Sequence, residues 1–373
     1  MKKIFSDNHS STKIDPLVLK TMLPYFSEKY GNSGSLHSMG QDARDAIEHS
    51  RQQVATLIGA HPDNIFFTNS ATEANNILIQ QNWYGGILTT NTEHVSVLTT
   101  AKVSNMKKYF IFKAEKDGTI DMVKLKKIIQ SKKPSLVSII AANNEIGTIH
   151  DIANIGSLCK LSPNAIFHTD ASQAIGKIDI NVHTMNISAL TISGHKIHGP
   201  KGIGALYVED PSRLGPLTHG GYQNQFISGT QNTPAIVGLG MACALLITGD
   251  DKREERNKKI GELRDMLLDN LLSKIKGSYV NGTMKNRLTN NINIVIPNVE
   301  GRALAMALGN NGVMISGGSA CNSLNPKPSY VLKAIGCPNP ESAIRISLSK
   351  FTTEEEIIKA GKQIVKLAKK MKK

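Results

Sequence analysis

Between residues 64 and 208 one pattern recurs: a short apolar run, a cluster of polar residues, then a helix-like stretch. The apolar runs fall at 64–68, 86–90, 135–142, 165–169, 189–193 and 204–208. They are apolar throughout rather than alternating, as expected of strands covered by helices on both faces. Helical patterns follow at 71–80, after Glu93 and at 152–161. Strands that alternate with helices in this way predict an α/β fold with a mainly parallel central sheet.

The pattern changes further on. Thr233 as N-cap and Pro234 in the first turn predict a helix to about residue 248. A charged amphipathic helix over 252–275 follows. Strands at 291–296, 313–316 and 343–347 then alternate with helices at 301–308, 328–335 and 353–371. The 373 residues suffice for two domains. We expect a large domain over 13–249, and a smaller α+β domain made of 1–12 and 250–373.

Composition narrows the function classes. Apolar content of 40% with 20% charged residues is that of a soluble globular chain. No apolar stretch follows the basic start, and the longest apolar run, 236–248, is too short to span a bilayer. A cytoplasmic protein without a membrane role is expected. The net charge of +14 is concentrated at 102–133 and 366–373. It either attracts an acidic partner such as RNA or solvates the surface. No nucleic-acid motif accompanies it, so direct nucleic-acid binding is not indicated. Cys159, Cys243, Cys321 and Cys337 lie far apart with no CxxC pair, which argues against disulfides and a structural metal.

Ligands of open α/β sheets bind beyond the carboxyl ends of the strands. Here those ends carry Ala71-Thr72-Glu73, Thr92-Glu93-His94, Asn143-Asn144-Glu145, Asp170-Ala171-Ser172-Gln173 and Ser193-Gly194-His195-Lys196. Lys196 opens a glycine-rich loop without the Walker spacing. It is either a surface lysine or one that forms a Schiff base with pyridoxal phosphate. Each of the other clusters fits a part of such a site and also has an ordinary structural reading. Ala71 and Thr72 open a helix that could hold a phosphate or simply be capped. Asp170 could pair with a pyridinium nitrogen or cap a helix. His94 could stack on the ring and move protons, or be structural. Gln173 and Asn144 could bond the ring hydroxyl or a substrate. Arg345, on an apolar strand, suits a substrate carboxylate better than an internal ion pair. Cys321 lies among small polar residues, 315–326, where a thiolate would serve as nucleophile or redox group rather than packing.

Taken together, these motifs resemble the cysteine desulfurases of the NifS/IscS type, within the class V aminotransferase-like enzymes of pyridoxal-phosphate fold type I. Besides the strand-end clusters, the resemblance is carried by Gly31-Asn32 with Ser35 and His37, Gly199-Pro200-Lys201-Gly202, His219-Gly220-Gly221, Ser228-Gly229-Thr230, Ser319-Ala320-Cys321 and Pro328-Ser329-Tyr330-Val331-Leu332. It implies that Lys196 binds the cofactor and later moves the substrate Cα proton. Asp170, Gln173, Asn144 and His94 would hold and tune the ring. Ala71, Thr72, Ser193 and His195, with Thr230 from the other subunit of a homodimer, would hold the phosphate. Arg345 and Asn144 would hold the carboxylate of L-cysteine. Cys321 would take its sulfur as a persulfide, release L-alanine, and pass the sulfur to an acceptor protein: an iron–sulfur scaffold, a tRNA-thiolation protein or a DNA-modification system. The sequence departs from the family at Ile227, where arginine is usual, and at Ser70, Asn32-Ser33 and His198. Selenocysteine lyase, another enzyme of the same class, or a sulfur-relay or assembly subunit are the alternatives.

Overall fold

The computed structural model describes residues 3–104, 108–162, 164–221, 224–248, 252–318 and 328–372. Cys321, Ser319 and Ala320 lie outside the described residues. The strands are β1 (Ile4–Phe5), β2 (Ile65–Thr68), β3 (Ile87–Thr90), β4 (Tyr109–Phe112), β5 (Leu136–Ser138), β6 (Ile166–Asp170), β7 (Ala189–Ser193), β8 (Gly204–Val208), β9 (Tyr279–Val280), β10 (Asn291–Val295), β11 (Val313–Met314) and β12 (Ala343–Ser347). The helices are α1 (Pro16–Met22), α2 (Pro24–Ser27), α3 (Ser38–Ile58), α4 (Ala71–Ile79), α5 (Val95–Ser104), α6 (Met122–Lys132), α7 (Ile152–Cys159), α8 (Thr233–Thr248), α9 (Arg253–Lys274), α10 (Gly301–Asn310), α11 (Tyr330–Ala334) and α12 (Glu354–Met371).

Seven strands form the central sheet in the order β2-β8-β7-β6-β5-β3-β4. The pairs from β7 to β4 are parallel, whereas β8 runs antiparallel to both β7 and β2. Two reversals leave β2 pointing the same way as β7. The carboxyl ends of β2, β3, β5, β6 and β7 therefore share one edge. Every residue of β6, β7 and β8 is buried, as expected of strands covered by helices on both faces. The fold is α/β with a mainly parallel sheet, as the alternation of runs indicates.

Three local differences from the sequence reading have physical causes. Regular β5 stops at Ser138 rather than 142, although Ile139 N–H and Ala141 N–H still donate to the carbonyls of His168 (3.1 Å) and Asp170 (3.0 Å). Thr233 is not the cap of α8: it lies within the helix, and Asn232 Oδ1 accepts the Ala235 N–H at 3.2 Å. Asparagine caps at least as well as threonine. Strand β4 was not anticipated. It is the edge strand beside β3, and only Phe112 of its four residues is buried, so its pattern is not that of a core strand.

A second sheet, β12-β10-β9, is antiparallel, and β1 pairs in parallel with β11. After β1 the chain bridges Asp7 to Ser347 and then crosses to the large sheet. There Thr12 N–H donates to the His195 carbonyl (3.0 Å) and Asp15 N–H to that of His198 (2.9 Å). The N-terminal segment thus acts as a strap that touches both sheets. Among the described residues no single helix is long and apolar enough to cross a membrane.

Candidate active site

A cavity of about 310 Å³ opens at the carboxyl edge of the central sheet. Its walls bring together Ala71, Thr72, His94, Asn144, Asp170, Gln173, Ser193, His195, Lys196 and Arg345. Nine of these ten residues, which span 275 positions of sequence, lie at or follow the carboxyl ends of five strands that share one edge, and Arg345 joins them from β12 of the second sheet.

Asp170 closes β6 and is 4% exposed. Its Oδ2 accepts from Asn75 Nδ2 and its Oδ1 from the Ser172 N–H, both at 2.9 Å. Both donors are neutral, and no described cation forms an ion pair with Asp170. Its negative charge remains available to the cavity. Asn75 also donates to Ser96 Oγ (2.9 Å), which lies 2.8 Å from His94 Nδ1. The Ser96 N–H points to the same Nδ1 at 3.2 Å, so a neutral His94 carries its proton on Nε2. Burial holds the His94 imidazole below its usual pKa; Asp170 opposes this shift and Lys196 adds to it.

Lys196 follows β7 in a short helical turn, Gly194–Lys196. Its Nζ donates to the carbonyls of His9 (2.5 Å) and Ser10 (2.7 Å) on the strap. Gln173 Nε2 donates to the same His9 carbonyl at 3.0 Å. Burial, then Lys196 and Lys201, lower His195 to about 4. On the far wall the α4 N-terminus is capped by Ser70, whose Oγ accepts the Glu73 N–H at 3.1 Å. Gly204 lets β8 pass close to this turn: a Cβ there would lie 2.9 Å from Ser70 C and 2.7 Å from the Ile192 carbonyl oxygen.

Arg345 is 2% exposed. Its Nη2 pairs with Asp7 Oδ1 at 2.8 Å and its Nη1 donates to the Asn144 carbonyl at 3.1 Å. The internal ion pair that the sequence ranked second is therefore present, and Arg345 still lines the cavity. Among the described residues, its buried Nε has no hydrogen-bond partner.

Among the described residues, three more buried polar atoms on the cavity wall find no hydrogen-bond partner: Asn144 Oδ1, Ser172 Oγ and Gln173 Oε1. Buried polar groups are normally satisfied, so such a cluster marks a place for a polar ligand. With the α4 N-terminus for an anion, Asp170 for a cation and Lys196 between them, these residues fit pyridoxal phosphate.

Thr230 is not in this cavity. It lines a separate one with Phe67, Asn69 and Asn224, and the chain alone does not bring it to the other site residues. Several contributors escaped the sequence reading: Asp7, His9 and Ser10 on the strap, and Asn75 and Ser96 behind Asp170; Tyr330, named there only within a motif, donates its hydroxyl to the Glu93 carbonyl at 2.5 Å and lines the cavity. Asn75 carried one signal, a polar residue among the buried positions of α4.

Residues 4–359 match the family model for class-V aminotransferases. The mitosomal cysteine desulfurase of Trachipleistophora hominis is 41% identical, over 99% of this chain and 87% of its own length. The human cysteine desulfurase is 40% identical, over 96% of this chain and 80% of its own length. Among solved structures, a NifS-like protein superposes with a TM-score of 0.90 at 33% identity, covering 98% of this chain and 99% of its own. SspA, solved in complex with cysteine, gives 0.80 at 32% identity over 95% and 100%. On both sequence and fold, the chain belongs to the class-V aminotransferase family, in its cysteine desulfurase branch.

Proposed function

We propose that the protein is a pyridoxal-phosphate-dependent cysteine desulfurase that converts L-cysteine to L-alanine and collects the sulfur as a persulfide on Cys321. The observation that carries this reading is the cluster of unpartnered buried polar atoms that shares one cavity with Asp170 and Lys196. The likeness to a protein solved with cysteine supports the substrate.

Bound in this cavity, the cofactor would supply an electron sink for the substrate Cα. Ala71, Thr72, Ser193 and His195 would hold its phosphate. Asp170 would face its ring nitrogen, Gln173 its hydroxyl and His94 its face. Asn144 and Arg345 would hold the substrate carboxylate. Lys196 would move the Cα proton once its two strap carbonyls release it. The Cys321 thiolate would attack the substrate sulfur, and the Cβ–S bond would break. The bonding pair would stay with carbon, which takes a proton to give alanine.

The reading includes a cytoplasmic homodimer. Leu23, Phe26, Tyr30 and Leu36 are large exposed apolar residues, Leu36 being 97% exposed. Ser33 between them donates to Gln231 Oε1 at 3.1 Å, so the Thr230 loop adjoins the same face. A second copy docked there would carry its Thr230 toward this chain's phosphate end. The persulfide would pass to an acceptor protein, either a scaffold or a tRNA-thiolation protein. The large domain would span 13–249 and the small one 1–12 with 250–373.

Mass spectrometry of the Cys321 peptide after addition of L-cysteine tests the proposal. One added sulfur and stoichiometric alanine are expected. Undiminished alanine formation by Cys321→Ser would overturn the persulfide step. Sustained turnover by Lys196→Ala would overturn the cofactor assignment.

A further inference from the structure

The seat assigned to the substrate carboxylate already holds a carboxylate. Asp7 Oδ1 lies 2.8 Å from Arg345 Nη2, and the Asp7 side chain is only 19% exposed. Charges this far out of water are weakly screened. Asp7 is itself held in place. Ser10 Oγ donates to its Oδ2 at 2.6 Å and lies 2.7 Å from its backbone carbonyl, and Asp7 forms a parallel bridge with Ser347 of β12. The counter-ion is thus built into the turn of the strap that carries it.

This pairing does not exhaust the guanidinium, which has five N–H groups. One goes to Asp7 and another, on Nη1, to the Asn144 carbonyl at 3.1 Å. Among the described residues the buried Nε has no hydrogen-bond partner, and Arg345 lines the cavity. A substrate carboxylate can therefore join Arg345 while Asp7 stays. The charge count then changes. Empty, Arg345 and Asp7 cancel. Occupied, two carboxylates share one cation. Among the described residues no second cation pairs with Asp7. His9, two positions on, is lowered to about 3 chiefly by burial and is neutral near pH 7. Lys196 Nζ donates to the His9 and Ser10 carbonyls.

We propose that Asp7 is a positioning residue that acts through Arg345 to weaken the hold of the site on a carboxylate, so that the product leaves. L-cysteine and L-alanine carry the same carboxylate, and a buried arginine without a counter-ion would keep both. Like charges a few ångströms apart in a low-dielectric space repel strongly, and Asp7 brings that repulsion to whatever anion Arg345 receives. The inference deepens the role given to Arg345 above and rests on that role.

The test is titration of propionate, the alanine skeleton without its amine, into the cofactor-loaded full-length protein. Kd is read by ligand-observed NMR in chloride-free buffer, so that no other small anion competes. Asp7→Asn keeps an acceptor oxygen for Nη2, and its amide can donate to Ser10 Oγ, so it removes the charge and retains the shape. Asp7→Asn and Asp7→Ser should each bind propionate about tenfold more tightly, the low end for loss of a neighbouring like charge. Propionamide, which carries no charge, should bind all three proteins alike. A merely structural role predicts the opposite sign, because a loosened seat binds less. An unchanged or weaker propionate Kd in the neutral variants overturns the proposal, as does an equal tightening of propionamide. If one neutral variant does not fold, the other decides. Arg345→Gln should abolish propionate binding in a protein that keeps Asp7. Binding that survives this change overturns the carboxylate seat itself, so the two failures are distinguishable.

Discussion

The two ends of the cavity hold their charged residues in opposite ways. At the floor, Asp170 is fixed by neutral donors, the Asn75 amide and the Ser172 N–H. At the strap end, Arg345 is fixed by a carboxylate, Asp7. A charge positioned by dipoles keeps most of its field for a ligand; a charge positioned by a counter-ion has part of it cancelled. On the proposed reading, the floor would hold a cation permanently, whereas the strap end would release and rebind an anion, with Asp7 neutralising Arg345 whenever the substrate has left.

The largest effect that tests this contrast is expected from Arg345→Gln. It removes the proposed carboxylate seat and leaves Asp7, among the described residues, with Ser10 as its remaining side-chain donor. Losing charged hydrogen bonds of this kind costs about 1.5–3 kcal/mol, so KM for L-cysteine should rise about 10- to 100-fold. Cofactor absorbance should persist; a parallel loss of cofactor would break the distinction between the two ends. Asn75→Ala should act at the floor instead. With the Asp170 side-chain donor gone, cofactor should dissociate about tenfold more readily in a dialysis assay, with a smaller change in KM.

A third effect is on acid stability, and here the ends should behave alike. His9 on the strap and His168 beside the floor are buried and lowered to about 3 and about 4, chiefly by burial. Above the unfolded value of 6.5 both states are neutral and stability is flat. As pH falls below 6.5, the unfolded chain takes up protons that the folded one refuses, so stability declines by about 1.4 kcal/mol per unit per histidine. Urea midpoints between pH 8 and 5 should show this decline, and His9→Asn should make it shallower by the share of one histidine. A stability that rises on acidification would contradict the neutral assignment of these rings.

Most of the floor was legible in the sequence. Asp170, Lys196 and His94 each follow an apolar strand, and parallel strands deliver their carboxyl ends to one edge whatever the loops between them do. Ala71 and Thr72 were legible for the same reason, once β2 is recognised as pointing with β7. The strap was not. Asp7, His9 and Ser10 sit in a short polar segment with no periodicity, and their long-range partners lie 135–338 positions away. No local pattern announces that Arg345 will meet Asp7. Asn75 was hidden for another reason: one buried amide in an apolar helix reads as noise until the carboxylate beside it is known.

The sequence by itself determined the layered architecture, the edge on which the site would form, and the chemical types gathered there. Those follow from strand periodicity and from the rule that links strand direction to strand ends. Tertiary structure alone decided which charges are answered and which are left open. Asp170 is held by neutral donors, whereas Arg345 is paired with Asp7. Electrostatic compensation depends on distances of a few ångströms between residues far apart in the chain, and residue order does not encode those distances.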